Sequence, residues 1–130
     1  MEKITAHIGA AHYKTEIRSA TNTIISDEPA IVGGTDLGFT PEELLASSLA
    51  ACTCITLRMY ADRKEWALHD VKVEVTFEKN PEENKTNIIR SIQLFGDLDS
   101  EQRSRLLNIA DKCPMHKLMS NPISIATDLK

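Results

Sequence analysis

The chain has 130 residues, 42% of them apolar and 26% charged, which suits one globular domain spanning 1–130 with a real core and leaves little room for a second. A formal charge of −4 without any Lys/Arg cluster excludes the basic stripe that a nucleic-acid partner requires. The start MEKITAHIGA lacks the apolar core of a signal peptide, and the longest uncharged run, Leu44–Leu57, is shorter than the roughly 20 residues that span a bilayer, so the expectation is a cytoplasmic protein with no membrane partner.

From Ile4 to Ile25 the text is short, β-branched and interrupted by polar residues, which predicts two or three short antiparallel strands with turns near Gly9 and Ser19. DEPAIVGGTDLGFTP follows, with two prolines and three glycines, and reads as a loop. TPEELL is a helix start: Thr40 caps, Pro41 sits where its missing N–H costs nothing, and Glu43 completes a capping box. That helix should run to about Lys64.

Val71, Val73, Val75 and Phe77 alternate with polar residues as a half-buried strand, and NPEENK turns it back into a second strand over Asn87–Phe95. DLDSEQRSRLLNIADKC then predicts a helix capped by Asp99 with Gln102 as its partner, placing Leu106, Ile109, Ala110 and Cys113 on one face, and with Cys113 ending it just before Pro114. ISIATDL reads as a short tail strand. Strands grouped at both ends around helices give an α+β class.

Three cysteines in a reducing compartment are not a disulfide framework, so they are expected to be buried, metal-bound or redox-active. Cys52 and Cys54 lie two apart on the long helix and therefore point to nearly opposite sides. Cys52 shares a face with Leu45, Ser48, Leu49, Ile55, Thr56 and Met59, whereas Cys54 looks toward Leu57, Arg58 and Ala61. Either could be a small hydrophobe of the core. KCPMHK places Cys113 at a helix end with His116 three residues on, a reactive thiol near polar groups or a pair of ligands. A zinc site of Cys52, Cys54, Cys113 and His116 has a legitimate ligand count, but the opposed Cys52 and Cys54 disfavour it.

PEELLASSLAACTCITLRMYADRK, followed about sixty residues later by ADKCPMHKLM, resembles the OsmC/Ohr family of osmotically inducible and organic hydroperoxide resistance proteins. AHYKTEI, ISDEP and GGTDLGFTPEELL carry the likeness over nearly the whole chain, closest to a short DEP…TLRMYA branch. The resemblance implies an OsmC-like fold of antiparallel sheets packed around a long central helix, in an intertwined homodimer. It implies Cys52 as the peroxidatic cysteine, Cys113 as the resolving cysteine, Glu42 as an active-site carboxylate and Arg18 as the arginine that favours the thiolate. The implied activity is reduction of organic hydroperoxides through a Cys52 sulfenic acid and a Cys52–Cys113 disulfide, with a dithiol as reductant, for which the family suggests a lipoyl type, and no cofactor. Leu49, Ile55 and Met59 near the site would favour organic over hydrogen peroxide. A rival reading keeps the fold without turnover, as a redox-sensing or small-molecule-binding protein.

If Glu42 and Cys52 belong to one site, ten residues of continuous helix separate them by about 15 Å, beyond hydrogen-bond reach. Either the helix breaks between them or a second subunit supplies the carboxylate; the uninterrupted EELLASSLAAC argues against a break, and a two-fold dimer creates two such sites at once.

Overall fold

Thr40 opens the longest element of the chain in the computed structural model, which describes residues 1–130. Its Oγ1 accepts the N–H of Glu43 at 3.2 Å while Glu43 Oε1 accepts the N–H of Thr40 at 3.1 Å, the reciprocal capping box expected from TPEELL. Helix α1 then runs unbroken over Pro41–Lys64. It ends where Glu65 takes a left-handed conformation, φ 56°, so that Glu65 N–H reaches Asp62 O and Trp66 N–H reaches Ala61 O.

The chain packs as two compact units, Met1–Leu45 and Ala46–Lys130. In the first, β1 (Thr5–Ile8), β2 (Thr15–Arg18) and β3 (Thr23–Ser26) form an antiparallel meander in chain order, with Ala6 opposite Ile17 and Ile17 opposite Ile24. Ser19 makes the second turn by accepting the N–H groups of Thr21 and Asn22. The glycine-rich loop carries a 3₁₀ turn over Ala30–Val32, closed by Gly33 at φ 93°. Buried Asp27 organises it: one carboxylate oxygen accepts the N–H groups of Tyr13, Glu28 and Thr35, and the other accepts the Thr35 hydroxyl and the N–H of Leu37. Ser26 Oγ donates to Phe39 O at 2.8 Å and fixes the far end of the loop. Gly38 is required there, because a Cβ would lie 2.0 Å from Ile25 O.

In the second unit, β4 (Leu68–Asn80) and β5 (Lys85–Gly96) pair as a long hairpin in which Val71, Val73, Val75 and Phe77 face Leu94, Ile92, Arg90 and Ile88. Helix α2 (Ser100–Ala110) starts with the expected Asp99–Gln102 capping box. The core gathers Leu57 and Ala61 of α1, Leu68 of β4, and Leu106, Ile109 and Ala110 of α2, with Val71, Ile92 and Leu94 packed against it. By length and composition α1 could cross a membrane, but its buried stripe of Leu49, Thr53, Leu57 and Ala61 marks it as the core helix of this unit.

Two expectations require correction. Cys113 does not end α2; it is the N-cap of a separate helix α3 (Pro114–Ser120), because Pro114 cannot continue a preceding helix yet suits the first position of a new one. The expected tail strand is also absent: residues 121–130 have no regular structure, and Ile123, Ile125 and Leu129 are exposed. Alternation gives that segment two faces, but a strand also needs a neighbouring edge, and none pairs with it.

Candidate functional site

The buried stripe of α1 passes between its two cysteines. Thr53 is fully buried and donates to Leu49 O at 2.7 Å, while Cys52 and Cys54 lie half-buried on opposite flanks. Leu49, Leu57 and Ala61, which the sequence reading divided between the cysteines, therefore belong to one face centred on Thr53. Cys54 lines a hollow with Ile55, Arg58, Met59 and His69, and desolvation pushes its thiol pKa upward.

Cys113 is fully buried, and its sulfur accepts the N–H of His116 at 3.2 Å. All three thiols are free. No group of three or more His, Cys, Asp or Glu side chains gathers as a metal site, so the zinc set of Cys52, Cys54, Cys113 and His116 does not assemble here. The other candidates lie in the first unit. Arg18 ends β2, exposed, with its Nε 2.6 Å from Glu16 Oε1. Glu42 is an exposed residue of the first turn of α1, where a negative charge suits the helix dipole.

Arg90, Asp111 and the role of His116 escaped the sequence reading. The guanidinium of Arg90, 11% exposed, donates from Nη1 to Thr53 Oγ1 at 3.1 Å and Ala110 O at 3.3 Å, and from Nη2 to Asp111 Oδ1 and His116 Nδ1, both at 3.0 Å. Arginine has no acceptor to offer, so His116 Nδ1 is the acceptor in this contact. A cavity of about 300 Å³ opens beside this network, lined by Leu49, Ile88, Arg90, His116 and Met119 among others. It combines an apolar wall with a cationic, hydrogen-bonded end. The signal for Arg90 was present in the sequence: it falls in phase with Ile88, Ile92 and Leu94 on the inward face of a strand, where a charge requires partners.

The α+β fold thus carries two half-buried cysteines on its long core helix and a buried cysteine at a Cys-Pro helix start. Residues 34–128 match the family profile described as OsmC-like protein, and the chain belongs to that family. No curated protein matches the chain. Among solved structures, it is similar to the organic hydroperoxide resistance protein OhrB of Bacillus subtilis, at 27% identity and TM-score 0.63 over 92% of this chain and 90% of that one. It is also similar to the OsmC like protein of Mycoplasma pneumoniae, at 21% identity and TM-score 0.77 over 92% and 86% of the two chains, a likeness of fold. A protein of Psychrobacter arcticus ascribed to the osmotic stress and detoxification response matches at 25% identity and TM-score 0.76, over 91% and 88%.

Proposed function

We propose that the protein is a thiol-dependent peroxidase that reduces organic hydroperoxides in oxidative-stress defence, with Cys52 as the attacking thiol and Cys113 as the resolving one. The observation that carries this reading is that the family match, residues 34–128, contains both Cys52 and Cys113; it is supported by the separate likeness to a solved structure named for organic hydroperoxide resistance. The match runs across the boundary between the two compact units at Leu45, which supports treating the whole chain as one OsmC-like domain.

The Cys52 thiolate attacks one peroxide oxygen and the O–O bond breaks. The other oxygen leaves as an alkoxide and takes up a proton to become the alcohol, and Cys52 becomes a sulfenic acid. Cys113 then displaces that oxygen as water and forms the disulfide, which an external dithiol, of lipoyl type in the family reading, reduces by exchange. A nearby cation favours the thiolate, the role assigned to Arg18, with Glu42 as the companion carboxylate. Arg18 lies outside the matched residues 34–128, whereas Glu42 lies inside them. The reading includes a homodimer in the cytoplasm.

The test is consumption of cumene hydroperoxide by purified protein with excess dithiol. The expected result is turnover faster than with hydrogen peroxide and abolished in Cys52→Ser. Equal rates for wild type and Cys52→Ser would overturn the reading, and a disulfide that forms without turnover would favour a redox-sensing protein instead.

A further inference from the structure

Arg90 occupies an unusual place for a cation, opposite Val75 on the face of the β4–β5 hairpin that otherwise presents Val71, Val73, Ile92 and Leu94. Its terminal N–H groups reach four acceptors on three helices and a link: Thr53 of α1, the last carbonyl of α2 at Ala110, Asp111 in the link that follows, and His116 of α3. Those acceptors are not scattered. Thr53 is the chain neighbour of Cys52, while Ala110, Asp111 and His116 bracket Cys113. Four acceptors for the four terminal N–H groups leave those groups no capacity for a ligand anion, so the network reads as a brace and not as a receptor.

We infer that Arg90 is a positioning residue for the second thiol step: it ties the segment bearing Cys113 to the part of α1 that bears Cys52, so that the sulfenic acid is captured as a disulfide before a second peroxide reaches it. The inference rests on the peroxidase reading above. In the captured branch, the Cys113 sulfur attacks the Cys52 sulfur, the S–O bond breaks, and the departing hydroxide takes the Cys113 proton to leave as water. In the competing branch a second hydroperoxide transfers an oxygen to the sulfenic sulfur, giving sulfinic acid and another molecule of alcohol. Cys113 is fully buried, so its access to Cys52 is set by the segment that carries it and not by a mobile search through solvent. Loosening that segment should slow capture and leave the competing branch unimpeded.

The experiment exposes the fully reduced protein, without reductant, to a fixed excess of tert-butyl hydroperoxide and reads the ratio of Cys52–Cys113 disulfide to Cys52 sulfinic acid by peptide mass mapping. That ratio is counted per Cys52 oxidised, so it does not depend on how fast the first step runs. In Arg90→Met the sulfinic share relative to disulfide should rise about tenfold over wild type. Arg90→Lys keeps a cation with fewer donors and should recover part of the difference. Asp111→Asn removes one charged arm at an exposed residue, so it keeps the fold even where Arg90→Met does not, and should shift the ratio in the same direction by a smaller factor. A ratio unchanged in Arg90→Met, or in Asp111→Asn should Arg90→Met not fold, overturns the positioning role alone. Failure of wild-type Cys52 to be oxidised overturns the peroxidase reading and this inference together.

Discussion

Arg90 and Thr53, separated by 37 positions in the chain, meet through a hydrogen bond of 3.1 Å between Nη1 and Oγ1, and Thr53 is fully buried. The contact places a charge in the core of the second unit with its acceptors already in place. Such a group is costly to orphan from either side. Arg90→Ala removes the donor for Thr53, the Ala110 carbonyl, Asp111 and His116 and should destabilise the reduced protein by about 2–4 kcal/mol, read from urea unfolding. Asp111→Asn, at a side chain 67% exposed, should cost under about 1 kcal/mol in the same measurement. Similar losses for the two variants would show that the buried arms of Arg90 contribute little.

The carboxylate of Asp27 accepts the Thr35 hydroxyl and four backbone N–H groups, and these bonds, the Thr35 hydroxyl foremost, hold its pKa well below the usual aspartate range. A depressed folded value means that the unfolded chain takes up the proton first as pH falls. The stabilisation is therefore complete above the ordinary aspartate range and is lost progressively below about pH 4. Asp27→Asn keeps one oxygen but offers an NH₂ group to the Leu37 N–H and the Thr35 hydroxyl. It should lower Tm by about 5–10 °C at neutral pH and by less at pH 3, measured by circular dichroism. An equal loss at both pH values would contradict the assignment.

Much of this fold was legible because capping chemistry and alternation are local. Thr40–Glu43 and Asp99–Gln102 could be recognised from spacing alone, and both boxes form. The hairpin followed from the valines of β4. The sites that escaped depend on tertiary context. Arg90 broke the alternation of β5 without revealing which acceptors 20 to 37 positions away would satisfy it. Cys113 looked like the end of one helix because Pro114 stops a helix as readily as it starts one. The tail had a strand's pattern but no edge to pair with.

Desolvation raises the Cys54 thiol pKa, and the side chain lies on the flank of α1 opposite Cys52. Only the thiolate reacts with alkylating agents. Cys54 should therefore be alkylated by iodoacetamide at pH 7.5 several-fold more slowly than Cys52, with its rate still rising at a pH above the ordinary thiol range. Cys54→Ser should leave peroxide turnover within about twofold of wild type. Oxidised protein in which Cys54 is bonded to Cys113 would transfer the resolving partnership to the wrong flank of the helix, and peptide mapping distinguishes the two pairings.

The last prediction is that the protein is a homodimer whose active sites are shared. Helix α1 is unbroken between Glu42 and Cys52, and ten residues of helix rise by about 15 Å, so one chain's helix cannot bring the two together. The same helix leaves apolar side chains uncovered: Leu45 is 48% exposed, Ile55 54% and Met59 60%. At 100° per residue Leu45 and Met59 fall within about 20° of Cys52 and Ile55 within about 60°, so Cys52 lies on the stripe that its own chain leaves bare. A second copy docking there by a two-fold axis would cover the stripe on both helices and could present the Glu42 of each chain to the Cys52 of the other. Sedimentation at micromolar concentration should give a particle of about 29 kDa, twice the 14.5 kDa of the chain. Met59→Glu should weaken association at least tenfold, about 1.4 kcal/mol, and lower peroxide turnover in parallel, because each site would lose its partner. A stable monomer of 14.5 kDa that still consumed peroxide at the wild-type rate would refute the shared site, and would leave Glu42 as a first-turn acid outside the chemistry.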